Sequence, residues 1–515
     1  MSIDSGNATS PTPAIAPGAE GLDVRRLAED IGQRCAADGH LDPRIPALAP
    51  GFDAPFFQAG LAGYSDAAMR LIARRHGCPF CVTEALLDRT LLAGGRGFAK
   101  ADLGELEDNV PGGAEDTPLA CQIMGSDPAE MAAAALKAVE QGSRGEKAYR
   151  KLAYTDAGVF PEPHHLRLPG GEQLGRIDLA SLTDLDCGDL VEEPECNAAG
   201  DAAGDDPLHD APQDARHDAL TGDLIRRGTP VATARTHAQA QLGDSAPPHP
   251  STLHRSAPLS LAFTTIDVNL ACPVKKIARK ARGGHWLAEP EGAIELLEAV
   301  REAVPANIPC TVKLRRAFDD TPEMIDNLHR ILAAATDMGY AWATIHARTV
   351  EQKYIGPSRW DLLRDLVARE RARTDRGARP PSIIFGSGDI WNAGDIFRMV
   401  GYTGVHAAAV ARGCIGNPWI FRQARDLMAG REPARPTLHA QRAVLEDHFA
   451  LALATNRGFR RAEVHTGKTM RKFAIRFAAH HPRAEDVRRA FIAVDSLEAW
   501  RGVLKEFYPH EPPDA

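Results

Sequence analysis

Cys272 stands in the run Asn269-Leu270-Ala271-Cys272-Pro273, at the end of a mostly apolar stretch, residues 261–268, that reads as a buried strand. Proline after a strand-ending cysteine fixes the exit of the chain, and the Asn269 amide can donate and accept hydrogen bonds to a planar polar ring. A thiol beside such a ring can deliver a proton. The competing reading is a packed cysteine, since free cysteines are among the most buried residue types. Other strand ends are polar too. Lys313 would be an expensive buried cation unless it meets an anion or a polarised oxygen. Gln122 offers a second amide, and His346 and Arg348, two residues apart, point to the same side of one strand. Gly386-Ser387-Gly388-Asp389 and Ala411-Arg412-Gly413 put glycines where backbone N–H groups can approach a phosphate, with Arg412 as a charged fork. Tight turns are the plainer reading of either loop taken alone.

These residues need elements to bring them together. Short apolar runs at residues 80–83, 119–123, 263–268, 310–314, 342–345, 383–385 and 405–410, with a first strand ending near Ala59, alternate with helical segments. The segments at 67–75, 128–140, 290–304 and 322–338 carry apolar residues at three- and four-residue spacing. Eight βα units of this kind predict an α/β protein, a (β/α)₈ TIM barrel. Because the polar motifs follow strands, they gather at the C-terminal face, where the last two loops usually take a phosphate.

The motifs resemble those of the tRNA-dihydrouridine synthase family. The likeness runs through Ala59-Gly60-Leu61-Ala62-Gly63-Tyr64-Ser65-Asp66, Val82-Thr83-Glu84, Cys121-Gln122-Ile123-Met124-Gly125-Ser126, residues 267–276, and Val312-Lys313-Leu314-Arg315. It continues through His346-Ala347-Arg348-Thr349, Gly386-Ser387-Gly388-Asp389-Ile390, and Ala411-Arg412-Gly413 with Gly416-Asn417-Pro418-Trp419. The family's order is kept over roughly residues 55–141 and 261–507. The resemblance implies an FMN-binding barrel followed by a small C-terminal helical bundle that grips tRNA. It implies that NADPH reduces FMN, that hydride passes to C6 of a uridine, and that Cys272 protonates C5 while Asn269 orients the base. Gly60, Leu61, Ala62, Gln122, Lys313, His346, Ser387, Gly388, Asp389, Ala411 and Arg412 would hold FMN, and Arg348 would bind substrate. The chain departs from the family pattern at Gly60-Leu61, Ala271, Ser387 and Ala411, where Pro-Met, Gly, Asn and Gly are usual.

Charge is unevenly distributed. The 515 residues carry a net charge of −9, yet residues 181–215 hold eleven acids and no Lys or Arg, and without them the balance would be +2. Residues 143–258, rich in Gly, Pro, Asp, His and Ala without a sustained period, are expected to be a largely disordered acidic insertion, and residues 1–22 a disordered tail. The barrel would then occupy residues 23–142 and 259–425. A helical RNA-binding domain would follow at 432–508, where Arg457, Arg460, Arg461, Lys468, Arg471, Lys472 and Arg476 face one acid, Glu463, within residues 456–477. Arg471 and Lys472 there, with Lys275 and Lys276 after the cysteine turn, are the candidate phosphate contacts.

A hydrophobic content of 44% and a charged content of 25% are ordinary for a soluble protein, and no apolar run reaches the roughly 20 residues a membrane span needs. Nine scattered cysteines suit a reducing compartment, so a cytoplasmic location is expected, and the protein is separately expected to be a monomer. Cys78 and Cys81 have metal or redox spacing, but without a second pair no metal is expected. The same chemistry on ribosomal RNA or a free pyrimidine, and a non-catalytic RNA-binding module, are the alternatives.

Overall fold

The computed structural model describes residues 18–92, 114–142, 263–273, 283–374, 381–456 and 461–509. The expected insertion, most of the expected tail, Lys275, Lys276, Arg457 and Arg460 lie outside them. The apolar runs form strands β1 (Phe56–Gln58), β2 (Cys81–Val82), β3 (Leu86–Leu87), β4 (Leu119–Met124), β5 (Thr265–Leu270), β6 (Cys310–Arg315), β7 (Ala343–His346), β8 (Ile384–Ser387) and β9 (Ala407–Val410). All pair in parallel. Their order is β2-β1-β9-β8-β7-β6-β5-β4-β3, and a further β2–β4 pairing closes eight of them into a barrel. β3, which the sequence pattern did not single out, only extends the β4 ladder at Leu86↔Ile123 and Leu87↔Met124.

Parallel strands need crossovers, and amphipathic helices supply them at Ala67–Arg75, Pro128–Gly142, Pro290–Ala303, Pro322–Asp337, Trp360–Thr374 and Ala393–Thr403, with Trp419–Met428 following the last strand. Asp66 starts the first of them by accepting the Met69 N–H at 2.8 Å. Strand alternation sends Ile123, Val268, Val312 and Ile345 outward to these helices, while Phe57, Phe80, Ala120, Trp342 and Phe385 fill the barrel interior. At the N-terminal end of the strands that interior is stoppered by Phe52. Its ring stacks on Phe80 at 4.8 Å and meets Phe57, Trp342 and Phe385 edge-on at 5.7, 6.3 and 5.8 Å. Phe52→Ala should therefore lower stability by about 3–5 kcal/mol, the range for emptying a buried phenyl site. A urea unfolding free energy lowered by under ~1 kcal/mol would show that the ring is dispensable.

Four helices follow the barrel, Leu438–Thr455, Ala462–Phe477, Ala484–Ile492 and Leu497–Phe507. Their shared core centres on Trp500, with Phe449 at 4.8 Å and Phe491 at 5.0 Å. This bundle rests on the C-terminal side of the barrel. Gly416, in the turn after β9, lies so close to helix Ala462–Phe477 that a Cβ there would stand 2.6 Å from the Phe477 nitrogen.

Candidate active site

The upper interior of the barrel is polar where the lower part is aromatic. In register across neighbouring strands stand Gln122 beside Asp267, Asp267 beside Thr311, Asn269 beside Lys313, Arg315 beside His346 and His346 beside Ser387. The amides are joined into a relay. Asn269 Nδ2 donates to Gln122 Oε1 at 2.7 Å, Gln122 Nε2 donates to Asp267 Oδ2 at 2.7 Å, and Thr311 Oγ1 donates to Asp267 Oδ1 at 2.6 Å. The carboxylate thus fixes which way each amide points, and each amide keeps one donor hydrogen and one lone pair for a ligand. Burial raises the Asp267 carboxyl above its usual range, against its two hydrogen bonds and the nearby Lys313.

Lys313 has no hydrogen-bond partner among the described residues. Burial, and then the Arg315 guanidinium, lower its ammonium to about 8. An acceptor at the barrel mouth would relieve both penalties. His346 is pushed well below the usual imidazole range by burial and by Arg315, Lys313, Arg348 and Arg412. Its Nδ1 accepts the Arg348 backbone N–H at 3.2 Å, which leaves the proton of the neutral ring on Nε2 as a donor.

Cys272 is half-buried in the turn after β5, and that turn is held from three directions. The Ala271 N–H donates to Asn269 Oδ1 at 2.9 Å, Arg315 Nε donates to the Ala271 carbonyl at 2.8 Å, and the Gly284 N–H donates to the Cys272 carbonyl at 2.9 Å. Gly284 must be glycine for this, because a Cβ would sit 2.8 Å from Val350 Cγ2 and 3.2 Å from the Cys272 carbonyl. The buried Ala271 adopts no left-handed backbone, so its methyl fits where the family pattern has glycine.

At the last two strand ends the chain forms a second cluster. Gly388 has φ +123° and Asp389 φ +55°. A Cβ at Gly388 would stand 2.2 Å from Ser358 Oγ and 3.4 Å from His346 Cε1. Asp389 is clamped by Arg348 Nη2 at 2.7 Å to both oxygens and by the Ser358 N–H at 2.8 Å. Arg412 lies 3.5 Å from Asp389, with its guanidinium 4.8 Å from the Trp391 ring centroid and 5.5 Å from that of Tyr354. Ala411, at φ −103°, needs no glycine. Ser387 is buried beside them. Across the mouth, Gly60 cannot carry a side chain on this backbone, since a Cβ would lie 2.4 Å from the Thr83 carbonyl and 3.2 Å from Gln122 Oε1. Leu61 and Ala62 continue that turn over the barrel rim.

Three of the expected binding side chains have partners within the protein. Arg348 is 2% exposed, and its guanidinium is directed at Asp389 and the Gly356 carbonyl. Lys472 bonds the Gly63 carbonyl in the β1 turn, and Arg471 Nη1 donates to the Ile492 carbonyl at 3.2 Å, so both are engaged within the protein. Asp267, Arg315 and Glu84, to which no role was attached, prove central. Arg315 joins the cysteine turn to the loop after β7 through the Thr349 and Lys353 carbonyls at 2.8 and 2.9 Å. A charged residue at an inward strand position was the available signal for Asp267 and Arg315, whereas Glu84 lies just past the end of β2. No group of three or more His, Cys, Asp or Glu suited to a metal occurs among the described residues.

A family model described as dihydrouridine synthase (Dus) matches residues 57–145 and 226–500. The probable tRNA-dihydrouridine synthase of Treponema pallidum is 35% identical over 211 residues, 40% of this chain and 57% of that protein. That of Mycobacterium leprae is 30% identical over 239 residues, 45% of this chain and 57% of that protein. The tRNA-dihydrouridine(47) synthase [NAD(P)(+)] of Cryptococcus neoformans is 30% identical over 162 residues, 31% of this chain and 22% of that protein. The chain thus spans little more than half the length of the first two relatives.

Proposed function

The chain belongs to the dihydrouridine synthase family, and from that premise we propose that it reduces a uridine of tRNA to dihydrouridine with FMN and NADPH. The observation that carries the reading is the half-buried Cys272, fixed by Arg315 and Gly284 over a mouth lined by Asn269, Gln122 and Lys313.

The residues present fit FMN. Lys313 lacks an acceptor among the described residues, neutral His346 offers a donor beside Gly388, and the packing at Gly60 and Gly388 admits no Cβ, so bare backbone lines the mouth there. The backbone at Ser387, Gly388, Asp389 and Ala411, with Arg412, would hold the phosphate; Lys313 and Gln122 would hold the ring edge, over Gly60, Leu61 and Ala62. Bound FMN would supply the hydride that C6 of the uracil receives, after reduction by NADPH. Asn269 keeps a lone pair and a donor hydrogen for the base edge, oriented by the relay to Asp267. Cys272 gives its proton to C5 as hydride reaches C6, so the base gains two hydrogens. Arg348 builds the wall of the phosphate site through Asp389. The reading also makes the protein a cytoplasmic monomer that needs no metal. No helix among the described residues is long and apolar enough to cross a membrane.

Lys313 gives the cofactor reading a pH signature. With its ammonium at about 8 before any ligand binds, an anionic acceptor would raise it toward the ordinary 10.5. Binding above pH 8 then takes up a proton, so FMN affinity should be flat below 8 and fall above it, by at most about tenfold per pH unit. Lys313→Met should bind more weakly and lose the dependence. Fluorescence titrations giving constant affinity from about pH 7.5 to 9 would remove Lys313 from contact with the cofactor.

The function itself is tested by mass spectrometry of dihydrouridine in separated tRNA and ribosomal RNA from cells with and without the protein. Loss at a tRNA position, restored by wild type and not by Cys272→Ala, is the expected result. Loss confined to ribosomal RNA would replace the substrate, and no change in either pool would overturn the reading.

A further inference from the structure

The β1 turn, residues 60–66, lies between the barrel mouth and the bundle, and one of its residues is gripped from both sides. The Gly63 N–H donates to Glu84 Oε2 at 2.8 Å, and Lys472 Nζ donates to the Gly63 carbonyl. The same ammonium lies 5.1 Å from the Tyr64 ring centroid and 5.0 Å from that of Phe473, and these two rings meet edge to face at 5.5 Å. Inside the turn, Ser65 Oγ accepts the Leu61 N–H at 2.9 Å and donates to the Leu61 carbonyl at 3.2 Å. The turn is therefore closed on itself. At its near end is Gly60, packed against Gln122; at its far end is Asp66, anchored as the cap of helix Ala67–Arg75.

Electrostatics make the ammonium hard to remove. Burial, with Asp66 adding to it, raises the Glu84 carboxyl to about 6, and Lys472 opposes that shift. Lys472 also offsets the burial of Asp66. Without the ammonium, two neighbouring carboxylates would face each other across the turn with less compensation. Lys472 belongs to helix Ala462–Phe477, which also packs against Gly416 in the turn after β9. One helix of the bundle thus leans on two turns that flank the cofactor cradle.

We infer that Glu84 and Lys472 are positioning residues that hold the β1 turn against the cofactor slot, so that RNA docking on the bundle and flavin binding in the barrel strengthen each other. The inference rests on the dihydrouridine synthase reading and deepens it: Lys472 acts on the cofactor site through Gly63 and not as a phosphate contact. Coupling of this sort is reciprocal, so each ligand must change the affinity for the other by the same factor.

The test uses the full chain freed of flavin. FMN affinity is measured by fluorescence quenching with and without saturating tRNA transcript, and tRNA affinity by filter binding with and without FMN. For the wild type both ratios should be at least about fivefold and equal to one another. In Lys472→Met both should fall to about one while each ligand still binds alone. Glu84→Gln keeps an acceptor for Gly63 and removes the charge, so it should give an intermediate ratio, and it serves if the lysine variant does not fold. A wild-type ratio near one, or an undiminished ratio in the variants, would overturn the inference and leave the enzymatic reading standing. Failure of the wild type to bind FMN at all would overturn both.

Discussion

Cys272→Ala should lower the rate of uridine reduction by about 10²–10⁴-fold, the usual worth of a positioned general acid, and leave the bound flavin spectrum unchanged. The turn carrying the thiol is held through main-chain groups: the Ala271 carbonyl by Arg315, the Cys272 carbonyl by Gly284, and the Ala271 N–H by Asn269. Removing Sγ leaves all three intact, so the loss reports chemistry and not misfolding. Reduction of the flavin by NADPH does not use the thiol and should continue at the wild-type rate. Cys272→Ser tests acidity within nearly the same shape, because a hydroxyl is a far weaker acid than a thiol, and it should be impaired almost as severely. Turnover within about threefold of wild type in the alanine variant would place the C5 proton donor elsewhere.

Gly388→Ala should weaken FMN binding by about 10–100-fold, corresponding to the ~1–3 kcal/mol carried by a backbone held in a sparsely populated region. Two effects combine there. A φ of +123° disfavours any side chain, and a Cβ would meet Ser358 Oγ at 2.2 Å. Adding Ser358→Ala removes the worst of the collision, leaving the residue-358 Cβ at 3.1 Å and the backbone strain, so the double variant should recover part of the affinity. Gly339 supplies the control: it has φ +82°, and a methyl there would find nothing within 4 Å. Alanine at that position should lower thermal stability while leaving flavin affinity unchanged. Equal affinities for Gly388→Ala and wild type would take the phosphate out of this turn.

The barrel was legible because its strands are short apolar runs and its crossovers keep a helical period. Inward-facing polar residues were harder to find. Asp267 sits in a run that otherwise reads as a buried strand, and only the register Gln122↔Asp267↔Thr311 shows that it orients two amides. The surroundings of Arg348 were not legible either. Two-residue alternation puts it on the same side as His346 only while the strand lasts, and β7 ends at His346. Beyond that point the chain turns, and the guanidinium goes to Asp389. Lys472 read as one charge in a basic helical run, and its bond to a carbonyl more than four hundred residues earlier is a tertiary fact that local pattern does not carry. Phe52, likewise, precedes any recognisable motif, and its role as a stopper depends on four aromatic rings from four different parts of the chain.

The direction of helix Pro128–Gly142 has a consequence for long-range electrostatics. This helix returns from the mouth to the opposite end of the barrel, where β5 begins at Thr265. The segment between them, which contains the eleven acids of residues 181–215, is therefore attached at the end stoppered by Phe52. A six-residue strand is about 20 Å long, more than two Debye lengths of about 8 Å at physiological ionic strength. Counterions can thus screen a charge held at the attachment end from the mouth.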